Sequence, residues 1–515
     1  MEIVLNGRDL TLEQLIAVSR EGAKVSIDPA SVEDVERSRK IVESIVEEER
    51  VVYGVTTGFG SLCNVSISKE DNAQLQENLI RTHSCGYGRP FPEEVVRAIL
   101  LIRINSLLKG VSGIRMSTIN TLLDMLNKGV TPMIPEKGSV GASGDLAPLA
   151  HMVLPMLGLG KAFYQGELLS GKEAMEKAGI EVIQLAAKEG LALINGTSVL
   201  TAVGALATYD AIRLAKLADI AGALSIEAHR GIVDAFYEDL HKIRPHDGSL
   251  NTAKNLRSLL DGSTFATHTA ELRVQDAYSL RCMPQIHGAS KDTIRYVKEK
   301  VEIEINSATD NPIIISEDEV ISGGNFHGEL MAQPFDFLGI GVAEIGDVCE
   351  RRIERLMNHA LSDMPSFLVS HPGLNSGFMI TQYSCAAIVS ENKVLAHPAS
   401  VDSIPTCENQ EDLVSMGSHA ARKAREIVDN VWRVVATEIM AACQAIDLRQ
   451  DVKEDSKDRK LGKGTQIAYD EVRKLVDFID EDAKIEMYDE LEKITNGLKA
   501  GKVLDEVEKQ VIFEL

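Results

Sequence analysis

Gly138-Ser-Val-Gly-Ala-Ser-Gly-Asp-Leu-Ala-Pro-Leu-Ala-His151 is the stretch from which the rest of this 515-residue chain is read. Small residues dominate it, and the glycines at 138, 141 and 144 permit close approaches and backbone angles closed to other residues. At its centre stand Ala142, Ser143 and Gly144. Such a loop can be a tight turn, can cradle a phosphate, or can let the backbone react with itself. A phosphate loop of the G-x-x-x-x-G-K-[ST] type needs a Lys-Ser or Lys-Thr pair, and none follows here. A hydrolase elbow needs G-x-S-x-G, whereas Gly144 directly follows Ser143. Turn and self-reaction remain. In the second, the Gly144 nitrogen attacks the Ala142 carbonyl and closes a five-membered ring. Loss of water from the ring and from the Ser143 side chain then leaves an exocyclic methylidene. The three residues suit this chemistry: little bulk at the attacked carbonyl, a hydroxyl to leave, an unhindered nitrogen.

Composition narrows the class. Charged residues make up 25% and hydrophobic ones 44%, values of an ordinary globular chain long enough for two to four domains or one large helical assembly. The net charge of −23 argues against nucleic acid, which would want a basic face, and against an anionic membrane. No run of about 18 apolar residues suggests a membrane span. The opening Met1-Glu-Ile-Val-Leu-Asn-Gly-Arg8 lacks a basic segment followed by an apolar one, so a cytoplasmic protein is expected. Cys63, Cys85, Cys282, Cys349, Cys385, Cys407 and Cys443 are scattered and never in C-x-x-C, which reads as reduced thiols and no metal site.

Outward from the loop, Val4-Leu-Asn-Gly-Arg8 suggests a small hairpin. Ser31 with Asp34 resembles a capping box opening a helix to about residue 48. Tyr53 lies in Val51–Gly60, where three glycines in seven residues break the helical period. Helices are expected over 72–84, from Glu93 to about 109, over 117–128, and from Asp145 to Met156. The apolar run Gly190–Ile194 before Asn195-Gly196 reads as a strand and turn. From 198 the chain becomes strongly helical: 198–229, 286–303, 334–362, 371–395 and 415–447. The first is rich in Ala and Leu with too few charges for a surface helix. Tyr278 and Arg281 are three apart, on one face if helical. Glu408–Asp412 reads as a solvated helix start, Asp451–Lys460 as a solvated linker, and two or three short helices close the chain.

The string 138–151 resembles the signature of the histidine/phenylalanine/tyrosine ammonia-lyase family, and the likeness runs from about Tyr53 to about Arg422. It implies a mainly α fold: a long-helix bundle of the ammonia-lyase/aspartase type with a smaller mixed N-terminal domain carrying the Ala-Ser-Gly loop. The expected division is 1–197, 198–447 and 448–515. The resemblance implies that Ala142, Ser143 and Gly144 form 4-methylidene-imidazol-5-one, with no external cofactor. It implies Tyr53 as the base for the β-proton; free tyrosine has a pKa near ~10, so the site must lower it. Tyr278 helps to orient, and Arg281 offers a planar fork to the substrate carboxylate. Asn195 holds that carboxylate or the ring carbonyl, and Gln275, Asn325 and Phe326 are wall residues.

Thr82-His83 resembles the Ser-His pair of histidine-specific members, and Glu411 matches their imidazole-facing glutamate. A carboxylate there favours a partner that donates N–H and disfavours a bare phenyl ring. Both positions imply histidine as substrate, giving urocanate and ammonia. Leu413 departs from the histidine many such members carry there. Tyrosine or phenylalanine lyases and tyrosine 2,3-aminomutases are the alternative. The family likeness further implies a homotetramer with active sites shared between subunits.

Overall fold

The computed structural model describes residues 2–452 and 456–515. The fold is mainly α. Its described residues fall into two compact units, each assembled from three stretches of chain: 1–209, 298–336 and 398–422 form the first, and 210–297, 337–397 and 423–515 the second. The helices Ser198–Ala228, Met283–Glu304, Glu329–Met357 and Gly417–Val452 each have residues in both.

All the named strands belong to the first unit. Glu2–Leu5 pairs in parallel with Lys24–Ile27, Glu2 opposite Lys24 and Leu5 opposite Ile27. The expected hairpin at Val4–Arg8 is therefore wrong. Asn6 Oδ1 accepts from the nitrogens of Arg8 and Asp9, and this side-chain turn sends the chain into a helix, Leu12–Ser19, before it returns. Thr131–Pro132, Lys161–Tyr164 and Glu167–Ser170 form an antiparallel sheet, and Tyr87–Pro90 pairs antiparallel with Pro135–Lys137.

The helix Pro29–Glu47 starts earlier than expected. Asp28, not Ser31, caps it by accepting from Ala30 N, and Pro29 supplies a first residue already at helical φ. Asn72–His83, Glu93–Leu107 and Met116–Lys128 lie where periodicity put them. The stretch 189–194 is a helix, not a strand. Gln76 Oε1 accepts from Gly190 N, and the guanidinium of buried Arg103 takes the Ala192 carbonyl. Periodicity alone cannot separate a short buried helix from a strand, and here packing decides.

In the second unit the core is aliphatic: Leu214, Leu217, Leu224, Ile294, Ile345, Val431, Val435 and Ile439 are buried. Helix 379–395 begins later than 371, because Asp482 draws the nitrogens of Ser376 and Gly377 into a turn. Of the expected linker 451–460, Asp451 and Val452 finish the long helix, residues 453–455 lie outside the described part, and Lys460 pairs with Thr264. Three helices follow it, Lys463–Val472, Met487–Lys499 and Lys502–Glu508. Among the described residues no helix is long and apolar enough to cross a membrane.

Candidate active site

Gly141 and Gly144, both with left-handed backbone (φ +74° and +71°), face each other across a tight reversal with Ala142 and Ser143 at its tip. A Cβ on Gly144 would overlap the Gly196 carbonyl, and one on Gly141 would overlap the Ser415 hydroxyl. Glycine is thus required by space as well as by φ. Gly196 closes on the loop from the other side: its N–H donates to Ser143 O at 3.1 Å, and its carbonyl accepts from Asp145 N at 2.8 Å. Met416 N donates to Val140 O at 2.9 Å.

Asp145 is fully buried. Its Oδ2 accepts from Val199 N at 3.0 Å and Leu200 N at 2.8 Å, the first turn of the 31-residue helix Ser198–Ala228, and Ser139 Oγ lies 3.1 Å from its Oδ1. A carboxylate satisfies orphan N–H groups at a helix start and meets the positive end of the helix dipole. Burial outweighs these bonds and pushes the carboxyl up to about 7.

Beside the loop is a cavity of about 360 Å³ whose walls include Thr82, His83, Ala142, Gly144, Thr406 and Glu411. Glu411 is turned inward rather than starting a helix, which begins only at Gly417. Its Oε1 accepts from Ser143 Oγ at 3.1 Å and its Oε2 from Thr406 Oγ1 at 2.6 Å. Between Thr406 and Glu411, Cys407, Glu408 and Asn409 all take left-handed backbone (φ +50°, +56° and +65°). Such runs of non-glycine residues are held only by surrounding structure, and they cluster at functional sites.

His83 is half-buried at the end of its helix, and Thr82 Oγ1 lies 3.1 Å from its Nδ1. That hydroxyl donates to Asn78 O at 2.9 Å, so its oxygen accepts from Nδ1–H and Nε2 is left as the bare acceptor. Burial lowers the His83 pKa, against weaker upward pulls from Leu79 and Glu411, so the ring is neutral at pH 7.

Tyr53 Oη accepts from Gly60 N at 3.1 Å. Its pKa is raised, contrary to the expectation that the site lowers it. Burial is the main cause, with Cys63, Cys407 and Glu411 adding to it, and only the Gly60 N–H works the other way. The Cys407 thiol accepts from Ser61 N at 3.3 Å, tying the tyrosine loop to the Glu411 turn.

Asn195 is buried. Its Nδ2 donates to Asp310 Oδ1 (3.2 Å) and Asn311 O (3.1 Å), while its Oδ1 has no partner. Both donors are used, so the side chain offers the site an acceptor and not the donor that a carboxylate needs. Asp310 also pairs with Lys188 at 2.6 Å, and both side chains are buried. Asn325 donates to Ala308 O at 3.4 Å, and Phe326 is half-buried in the loop before Glu329.

Gln275, Tyr278 and Arg281 belong to the second unit. Tyr278–Arg281 is one helical turn, and the guanidinium lies 4.8 Å from the Tyr278 ring centroid, so the two do share a face. Gln275 and Tyr278 are exposed, Tyr278 at 70%.

A family model described as aromatic amino acid lyase matches residues 10–474. The chain belongs to the aromatic amino acid lyase family. It is 68% identical over 509 residues to the histidine ammonia-lyase of Streptococcus pyogenes serotype M49 (strain NZ131), covering 99% of this chain and 98% of the relative. Among solved structures, the histidine ammonia-lyase from Trypanosoma cruzi matches at 42% identity with a TM-score of 0.91, covering 99% of this chain and 96% of that one. The tyrosine aminomutase from Streptomyces globisporus matches at 37% identity with a TM-score of 0.94 and full coverage of both chains.

For this aromatic amino acid lyase, reading the sequence overlooked Thr406, Gly196 and the Lys188–Asp310 pair. Asp310 carries no local signal, because it acts on Lys188, 122 positions away, whereas Thr406 lies five residues before Glu411 in a turn of left-handed residues that no turn motif announces. Asp145 stands just before the helix Leu146–Val153 and so looks like its cap, yet its carboxylate serves another helix. Among the described residues no group of three or more His, Cys, Asp or Glu could hold a metal ion. The seven cysteines form no disulfide.

Proposed function

We propose that this lyase eliminates ammonia from L-histidine to give urocanate, using 4-methylidene-imidazol-5-one formed from Ala142, Ser143 and Gly144. The observation that carries the reading is Glu411, whose carboxylate stands in the loop's cavity with His83 and touches Ser143. The tripeptide fits the ring. Gly144 and the flanking Gly141 leave no room for a Cβ, the Ser143 carbonyl meets the Gly196 N–H, and the hydroxyl to be lost meets a carboxylate. The group supplies an electrophilic carbon–carbon double bond for the substrate's amino nitrogen.

The chain's own residues do the rest. Glu411 accepts one imidazole N–H, its far oxygen held by Thr406, and the bare Nε2 of His83 is a second acceptor on the same wall. The single N–H of a neutral imidazole satisfies one of these acceptors and an imidazolium satisfies both, whereas a phenyl ring would leave both desolvated without a partner. Tyr53 Oη takes the β-proton. Arg281 binds the substrate carboxylate as a two-pronged donor, and Tyr278 orients the reacting groups. Gln275, Asn195 and Phe326 shape the pocket, Asn195 through its free Oδ1.

The proposal extends to a cytoplasmic homotetramer with shared active sites, and to a chain divided at 197 and 447. Mixing Tyr53→Phe chains with Tyr278→Phe chains tests the sharing: recovered activity supports it, and none counts against it. A tyrosine aminomutase is the second reading, favoured by Leu413 and the Streptomyces globisporus likeness. Incubation with histidine, tyrosine and phenylalanine separately, with product identification, decides. Urocanate from histidine alone, in a protein whose intact mass is short by two waters, supports the main reading. A β-amino acid from tyrosine would replace it.

A further inference from the structure

The second unit contains a buried cluster of charged side chains that the proposed mechanism does not use. Arg352, on helix Glu329–Met357, is fully buried and has five N–H donors, every one of them engaged. Nε donates to Glu438 Oε1 at 2.5 Å and Nη2 to Glu438 Oε2 at 2.9 Å. Nη2 also donates to Cys349 Sγ at 3.1 Å. Nη1 donates to His287 Nε2 at 3.3 Å and to Ser279 O at 3.3 Å. That last acceptor lies inside the Tyr278–Arg281 turn.

The remaining members hold Arg352 in its orientation. Because His287 Nε2 accepts from arginine, its Nδ1 carries the proton and donates to Asp219 at 2.8 Å. Asp219 also pairs with buried Lys291 and accepts from Asn255 at 2.8 Å. Ser225 Oγ donates to Glu438 at 2.6 Å. Lys291 and Arg352 balance Asp219 and Glu438 in charge. Such a cluster is costly to bury and is disrupted by losing any one member. Gly222 lies beside it: a Cβ there would overlap Met283 Sδ and stand 3.8 Å from Arg352 Cζ.

A second anchor grips the same segment three residues earlier. Asp276 is buried, its Oδ2 accepts from Ile232 N at 2.6 Å, and its Oδ1 accepts from Arg273 Nε at 2.5 Å. Arg273 in turn donates to His229 O at 2.8 Å, just past the end of helix Ser198–Ala228. The backbone of 276–279 is therefore pinned at both ends, while Gln275 and Tyr278 remain exposed.

We propose that Arg352 and Asp276 are positioning residues that hold the Gln275–Arg281 segment in register, so that Arg281 presents its guanidinium to the substrate carboxylate. This rests on the reading of Arg281 given above. Neither residue touches substrate. Arg352 acts through Ser279 O and Asp276 through Ile232 N. Lysine cannot stand in for Arg352, because its three donors cannot satisfy Glu438, His287, Cys349 and Ser279 together.

The test compares ligands with and without a carboxylate on the full-length enzyme. Arg352→Lys, Asp276→Ala and Arg281→Lys are each made and checked for folding by melting temperature and for the loss of two waters by intact mass. KM for histidine and inhibition constants for urocanate and for imidazole are then measured. In the Arg352 and Asp276 variants, the histidine and urocanate constants are expected to rise about tenfold, the scale of one or two lost hydrogen bonds, and the imidazole constant to stay within about twofold. Equal weakening of urocanate and imidazole, or no weakening of either, overturns the proposal. Should Arg352→Lys fail to fold, Asp276→Ala decides alone. A selective loss in Arg281→Lys that the two positioning variants lack sinks the positioning idea only. No selective loss in Arg281→Lys sinks the carboxylate reading and the proposal with it.

Discussion

The loop 138–147 and the segment 273–282 solve the same problem in opposite ways. In the first, the loop is buried and bonded around a half-buried Ser143: Ala142 and Asp145 are buried, Ser143 O is capped by Gly196, and Ser143 Oγ by Glu411. In the second, the backbone is pinned by Asp276 and Arg352 while Gln275 and Tyr278 face outward. The ring closure proposed for the first would need a fixed, crowded loop, because it depends on holding a nitrogen against a carbonyl. Side chains proposed to meet a substrate, as in the second, need only a rigid base. Substitutions in the first region should therefore change both stability and activity, and those at exposed positions of the second should change activity alone.

The largest expected effect is Ser143→Ala. Turnover of histidine should fall to background, about 10⁴-fold or more, for a group that supplies the electrophile. The intact mass should equal that of the encoded variant, and a fully active variant would break the comparison. Next is Tyr53→Phe, with kcat reduced by about 10²–10⁴-fold, the range of a placed proton acceptor. Its wild-type counterpart carries a pH signature. Because burial raises the Tyr53 pKa, phenolate is scarce at pH 7, so kcat/KM should climb from pH 7 to 9, and Tyr53→Phe should flatten the climb. A flat wild-type profile would remove Tyr53 as the base.

Glu411→Gln comes third. Losing a charge-assisted hydrogen bond of about 1.5–3 kcal/mol should lower kcat/KM for histidine by about 10- to 100-fold and leave tyrosine turnover far less affected. Tyr278→Phe sharpens the contrast between the regions. Its exposed hydroxyl should leave the melting temperature within about 1–2 °C, as for surface changes generally, while kcat falls. A large drop in melting temperature would show that the outward face of this segment is structural.

The smallest effect is on stability against pH. Asp145 has a carboxyl pKa of about 7 in the folded chain against 3.8 for the free side chain. Between these values the folded state binds more protons than the unfolded one, so stability from this group is full below about pH 3.8 and is lost as pH rises through about 7. Asp145→Asn cannot titrate. The gap in melting temperature between wild type and variant should narrow from pH 5 to pH 8, and a gap that widens would contradict the assignment.

The local geometry of the candidate site is legible along the chain where its candidate residues are adjacent. Ala142-Ser143-Gly144 sits on a tight reversal and Tyr278 and Arg281 share one helical turn, the local geometry that their spacing suggests. The helices over 72–83, 93–107 and 116–128 were readable for the same reason, since side chains three and four apart share a face. What misled were stretches whose local signal was weak or contradicted from afar. Gly190–Ile194 has an apolar run that suits strand or helix, and Gln76 and Arg103 chose helix. The glycine turn after Leu5 suggested a hairpin, but Lys24–Ile27 was the better partner for the first strand. For Tyr53, a role as base calls for a lowered pKa. Burial beside Cys63, Cys407 and Glu411 produced the reverse.

By itself the sequence determined which reactive groups the chain owns: an Ala-Ser-Gly loop between glycines, a tyrosine in a flexible-looking loop, an acid and a histidine suited to imidazole, and a long helical remainder. Tertiary structure alone decided who meets whom. Ser143 and Glu411 are 268 positions apart, Asp145 reaches a helix 54 positions away, and Arg352 holds a carbonyl 73 positions before it. The reason is range: dihedral preferences and helical spacing act over a few residues, whereas a buried donor takes whichever acceptor packing of the whole core leaves within about 3 Å.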